Sequence, residues 1–77
     1  MQTQQEKSKA IYRLKKMVGF DCVVRLRSNP ETIISGVLDS FDLDTVPSLL
    51  NIDCGNRGLR VINFQDVSFI EEIRMER

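Results

Sequence analysis

A glycine inside an apolar run constrains this chain more than any other feature. Residues 36–52 read Gly-Val-Leu-Asp-Ser-Phe-Asp-Leu-Asp-Thr-Val-Pro-Ser-Leu-Leu-Asn-Ile. A strand runs through Gly36 to Phe41, an acidic turn follows over Asp42 to Val46, and a second strand starts near Ser48. Glycine within a strand marks a sharp bend or a close approach of another backbone. Pro47 cannot donate to a ladder, so it belongs just ahead of the returning strand. A long bent strand, a tight turn and a returning strand are the parts with which a small sheet curls into an open barrel.

The flanking sequence supplies what such a sheet needs. Met1 to Gln5 is polar and patternless, which predicts a frayed start. Ala10, Ile11, Leu14, Met17 and Val18 then form one apolar stripe at helical spacing. Lysines and Arg13 fill the other faces, and Gly19 offers a left-handed stop. The spacing predicts a helix over about 6–18 that covers an open end of the sheet.

Cys22, Val24 and Leu26 alternate with Val23, Arg25 and Arg27, which predicts a half-buried strand over 20–27. Ser28 to Glu31 is a turn. Further strands are expected over 32–41, 48–53, 59–63 and 67–73, with Leu50 and Ile52 facing inward or Leu49 paired across a seam. In the last strand Val67, Phe69 and Ile73 alternate against Ser68, Ile70 and Glu72. The turn Cys54 to Gly58 holds two glycines, Asn63 to Asp66 forms a tight connection, and Arg74 to Arg77 is a charged tail. The expected architecture is mainly β: an N-terminal α-helix followed by a five-stranded, strongly bent open barrel in one domain spanning 1–77.

Charge and chemistry narrow the function. The formal net charge is zero, so no global basic footprint points to nucleic acid. The charge is nevertheless lopsided, with seven Lys and Arg against two acids in residues 1–30 and four against nine in 31–77. Such asymmetry can mark a polar binding surface, but a solvated surface helix beside an acidic barrel is the preferred explanation. The chain has no histidine and two cysteines without CxxC spacing, so a zinc site lacks ligands and a Ser or Cys nucleophile lacks a base. No nucleotide-binding loop or nucleophile elbow is present. Asp42 and Asp44 form a D-x-D pair, but without further oxygen ligands at suitable spacing they read as turn formers. No enzyme activity, cofactor or metal is expected. Without a signal peptide or an apolar run near ~20 residues, the chain is expected to be cytosolic, with reduced thiols and no membrane partner.

The order of one helix ending at Gly19 and five strands, with Gly36, Leu38, Phe41 and Asp42 spelling Gly-x-Leu-x-x-Phe-Asp, resembles the Sm and Sm-like family. The first Sm motif would cover Cys22 to Ile52 and the second Leu59 to Ile70. In that family strand four of one protomer pairs with strand five of the next, and the rings bind uridine-rich RNA. RNA-binding members close the loop after Phe-Asp with methionine and asparagine, where this chain has Thr45 and Val46. They close the fourth strand with a basic residue and glycine, where this chain has Asn63 and Phe64. Val46 and Phe64 offer no side-chain donor to a base.

Met17-Val18-Gly19, Asp42-Leu43-Asp44 and Asp66-Val67-Ser68 make the narrower resemblance, to the Gemin seven family of the survival-of-motor-neuron (SMN) complex. That resemblance implies a non-catalytic scaffold. Its partners would be another Sm-like protein (Gemin-six-like) and a Gemin-eight-like subunit, with Sm proteins contacted indirectly. Its setting would be spliceosomal small nuclear ribonucleoprotein assembly in cytoplasm and nucleus, and direct RNA binding is not expected. The interface would lie on the edge strands at Leu59, Val61, Asn63, Val67, Phe69 and Ile70, with Tyr12, Arg13 and Lys16 as a candidate partner-binding helix face. The alternative is an RNA-binding Sm-like ring subunit acting in RNA processing or decay.

Overall fold

The computed structural model describes residues 4–73. One helix, α1 (Gln4–Met17), precedes strands β1 (Asp21–Leu26), β2 (Ile33–Asp42), β3 (Leu49–Asp53), β4 (Leu59–Asn63) and β5 (Val67–Glu72). Short 3₁₀ turns, Gly55–Arg57 and Phe64–Asp66, precede β4 and β5. Helix α1 thus starts two residues earlier than the sequence suggests, within the stretch expected to fray. The rest of that stretch, Met1 to Thr3, and the charged tail Arg74 to Arg77 lie outside the described residues.

All five strands form one antiparallel sheet in the order β4-β3-β2-β1-β5. The sheet is mainly what the alternation of residues implies, but it is not closed or strongly curled as expected for a strongly bent barrel. No ladder joins β4 to β5, so both remain edges. The irregularities are local, at Leu38/Ser40 in β2 and Arg25/Leu26 in β1.

One face of the sheet is dry. Cys22 and Val24 of β1, Ile34 and Leu38 of β2, Leu50 and Ile52 of β3, Ile62 of β4 and Ile70 of β5 are buried together. Helix α1 covers them with Leu14 and Met17, while Ala10 and Ile11 pack at the margin. Gly19 has φ +89, the left-handed geometry that ends α1. Its N–H then reaches the Leu38 carbonyl at 2.9 Å, which ties the helix end to β2.

Gly36 is the point of closest approach within the sheet. A side-chain carbon there would collide with the Asp53 carbonyl oxygen and sit 2.7 Å from Ile52 Cγ2. Only hydrogen leaves room for the end of β3. We expect Gly36→Ala to lower stability by about 1–3 kcal/mol through overpacking against backbone, read as a drop in the urea midpoint.

Candidate functional site

The edges follow from backbone alternation. Cys54 donates to Gly58 at 2.9 Å and the Ser48 carbonyl accepts from Phe64 at 2.8 Å. Even-numbered residues of β3 therefore face β4, and their partners Arg60 and Ile62 face back. The N–H and C=O groups of Leu59 and Val61 point the other way, out of the sheet. The side chains of these two residues are 56% and 57% exposed, so the β4 edge presents backbone and apolar surface together.

β5 is the opposite edge and is partly covered. Ile73 donates to the Asp21 carbonyl at 2.8 Å, so odd-numbered residues of β1 and β5 face each other. Ile70 therefore turns its carbonyl outward, where Arg13 Nη2 donates to it at 2.7 Å. The Arg13 guanidinium reaches across from α1 and occupies that edge acceptor. A small hollow beside it is lined by Phe64, Val67 and Phe69.

The expected site residues divide accordingly. Phe69 is 47% exposed on the outer face, opposite Arg25. Ile70, expected to offer its side chain at the edge, is buried in the core opposite Val24. The pleat leaves only its backbone at the edge. Val67 is half-buried against the core, and Asn63 ends β4 with its Oδ1 accepting from the Gln65 N–H at 2.9 Å.

The two loops that would grip a base are brought together by the Phe64–Ser48 hydrogen bond. Their polar side chains are otherwise engaged. Thr45 Oγ1 donates within its own loop, lying 2.9 Å from the Pro47 carbonyl. Val46 is 99% exposed, and Phe64 packs against the core margin. Asp42 Oδ1 accepts the Asp44 N–H at 2.9 Å, and Asp44 pairs with Lys7 at 2.6 Å. The D-x-D pair thus closes a turn and holds it to α1. Among the described residues no group of three or more metal-ligating side chains is gathered. Likewise no helix among them is long and apolar enough to cross a membrane.

On α1, Tyr12 is exposed and Lys16 Nζ lies 4.3 Å from its ring centroid. Hydrogen bonding to Lys16 and its positive charge hold the Tyr12 phenol below the usual tyrosine range. Arg13 is exposed on the same helix, but its guanidinium also reaches the β5 edge at Ile70. Cys22 and Cys54 are both free thiols, and burial pushes the Cys22 thiol up. The hydrogen bond from Arg13 to Ile70 spans 57 positions of sequence, so no local pattern could have signalled it.

Tyr12 is the sole tyrosine, which makes its titration readable by tyrosinate absorbance. Lys16→Gln removes the cation that favours the phenolate, so the absorbance midpoint is expected to move to higher pH. An unchanged midpoint would mean that the Tyr12–Lys16 pair does not persist in solution.

No protein-family model, curated protein or solved structure matches this chain.

Proposed function

We propose that the chain is a non-catalytic Sm-like scaffold subunit that pairs edge to edge with another Sm-like protein. In this reading its setting is the SMN machinery that loads Sm proteins onto spliceosomal RNA, in cytoplasm and nucleus. A Gemin-six-like protein would take the edge, and a Gemin-eight-like subunit would add to the pair. The observation that carries the proposal is the β4 edge, where Leu59 and Val61 offer outward backbone groups beside exposed apolar side chains. A partner strand satisfies those groups by β-augmentation, and its alternating side chains decide which partner fits.

A lean of the two edges toward each other, short of a strongly curled barrel, would support edge pairing. Four strand spacings of ~4.8 Å would hold the edges of a flat sheet ~19 Å apart. Yet only the Phe64–Asp66 turn joins β4 to β5. The four steps from Asn63 to Val67 reach at most ~14 Å even when fully extended. The two edges must therefore lean toward each other at this end. One protomer's β4 and the next protomer's β5 are then at an angle that suits a ring or an arrested dimer.

The loop chemistry favours the scaffold over an RNA-binding ring subunit, because Thr45 and Asn63 turn their polar atoms inward on their own loops. Titration of the pure protein with oligouridylate at low salt separates the two. Weak or absent binding is expected, whereas tight, steeply salt-dependent binding sinks the scaffold reading.

Val61→Pro addresses the edge directly. The Val61 N–H faces outward, so proline removes no intramolecular ladder bond and is tolerated at such a position. The variant should keep its strand circular dichroism but pair with a co-expressed Gemin-six-like partner at least about tenfold more weakly, ~1.4 kcal/mol. Undiminished pairing, measured by light scattering, would move the interface away from β4.

A further inference from the structure

β2 is longer than the strand beside it. Its ladder with β3 stops at Val37 opposite Asp53, while its ladder with β1 continues to Ile33 opposite Arg25. The first residues of β2 therefore have a strand on one side only. Leu38 donates to the Phe20 carbonyl at 3.2 Å and accepts from the Gly19 N–H at 2.9 Å. Even-numbered residues of β2 thus face β1, and Ile33 and Ser35 face the side where β3 has ended. Among the described residues, no turn or loop backbone group pairs with either. An interior strand of the sheet carries a short free edge.

A groove of about 470 Å³ opens on this stretch. Ile33 to Ser35 form one side, and Arg57, Leu59 and Arg60 form the other. Both charged residues in its lining are arginines, and no carboxylate lines it. Arg57 and Arg60 are exposed, and neither is in an ion pair among the described residues. Ile33 and Leu59 add exposed apolar surface at the two sides.

We propose that this groove receives an extended acidic peptide segment of a partner protein. The segment adds as a short strand on Ile33 and Ser35, and its carboxylates meet Arg57 and Arg60. Backbone pairing supplies a direction and a register, and apolar residues of the segment rest on Ile33 and Leu59. Arginine's planar fork suits carboxylates, which selects acidic sequences over neutral ones. The added strand must stop before Gly36, where Asp53 already fills the space. This site is separate from the outer edge of β4, although Leu59 borders both. It stands whether or not the edge-pairing reading does.

The test uses the full chain and a fluorescein-labelled peptide of alternating Glu and Val, followed by anisotropy and by amide hydrogen exchange. Binding should slow exchange at the Ile33 and Ser35 amides. Arg57→Glu with Arg60→Glu should weaken it at least about tenfold, as expected when charge-assisted hydrogen bonds become repulsions. Arg57→Gln with Arg60→Gln gives a milder loss and replaces the reversal if that variant loses its strand circular dichroism. Heterodimer formation through β4 should be unchanged in Arg57→Glu alone, which alters the turn before β4 and not the strand, so a failure here is distinguishable from a failure of edge pairing. Three results would overturn the proposal: equal binding of a peptide with Lys in place of Glu, no protection at Ile33 and Ser35, or no peptide binding. Oligouridylate binding that disappears in the arginine variants would instead assign the groove to nucleic acid, which also overturns it.

Discussion

The close approach of the Asp53 carbonyl to Gly36 is the constraint on which the arrangement of the sheet depends. Two strands can come this near only where one lacks a side chain. The approach fixes where β3 ends against β2, and that end decides which β2 residues are paired on both sides. Ile52, beside that contact, lies on the core side at the partner position of Leu38. Core and surface are thus linked at one backbone position. The approach beside Ile52 also leaves Ile33 and Ser35 without a second neighbour.

A domain of this size buries too little to be generous with its apolar residues. Its inner face is filled by Val24, Leu38, Leu50 and Ile52, with Leu14 and Met17 closing it from α1. Several others remain outside: Leu59 and Val61 on β4, Phe69 on β5 and Ile33 on β2. Single exposed apolar residues are ordinary on a soluble protein. Here they coincide with unpaired strand backbone, at the β4 edge and at the start of β2. That coincidence favours the proposed pairing over incidental exposure, because augmentation requires both. Arg13 meets the same problem differently at β5, donating a charged hydrogen bond to the edge carbonyl of Ile70.

The elements were legible in the sequence because their patterns are local. Alternation put Cys22 and Val24 on one side of their strand and offered Leu50 and Ile52 as one of two inward choices, and all four are buried. The stripe containing Leu14 and Met17 faces the sheet for the same reason. Sidedness was harder in β5, where Phe69 and Ile70 are adjacent and both apolar. Only the ladder with β1 shows that Ile70 lies opposite Val24 and faces inward. The strong curl expected from the hairpin was an extrapolation from a local bend. A glycine reports that something comes close, but not how far the whole sheet turns. The groove at Ile33 was hidden for a further reason. Strand stagger is a relation between neighbours, and nothing within residues 32–36 encodes that β3 ends at Asp53.

The charges sort in a way that net charge conceals. Lys7 and Asp44 join the basic helix to the acidic turn, but Asp44 is 82% exposed, so this pair is worth only about 0–1 kcal/mol. It orients the turn more than it stabilises the fold. Arg57 and Arg60 lie in the half of the chain with four basic residues against nine acidic, yet no carboxylate lines the groove beside them. Screening at physiological salt acts over ~8 Å. Asp53, the cross-strand partner of Leu59, accepts the Gly55 N–H through Oδ1, so this carboxylate stands beside the groove and offsets part of its positive field. An approaching carboxylate there meets two exposed arginines and a free strand edge, so the charge it encounters is set by Arg57 and Arg60 against the adjacent Asp53 rather than by the zero formal net charge.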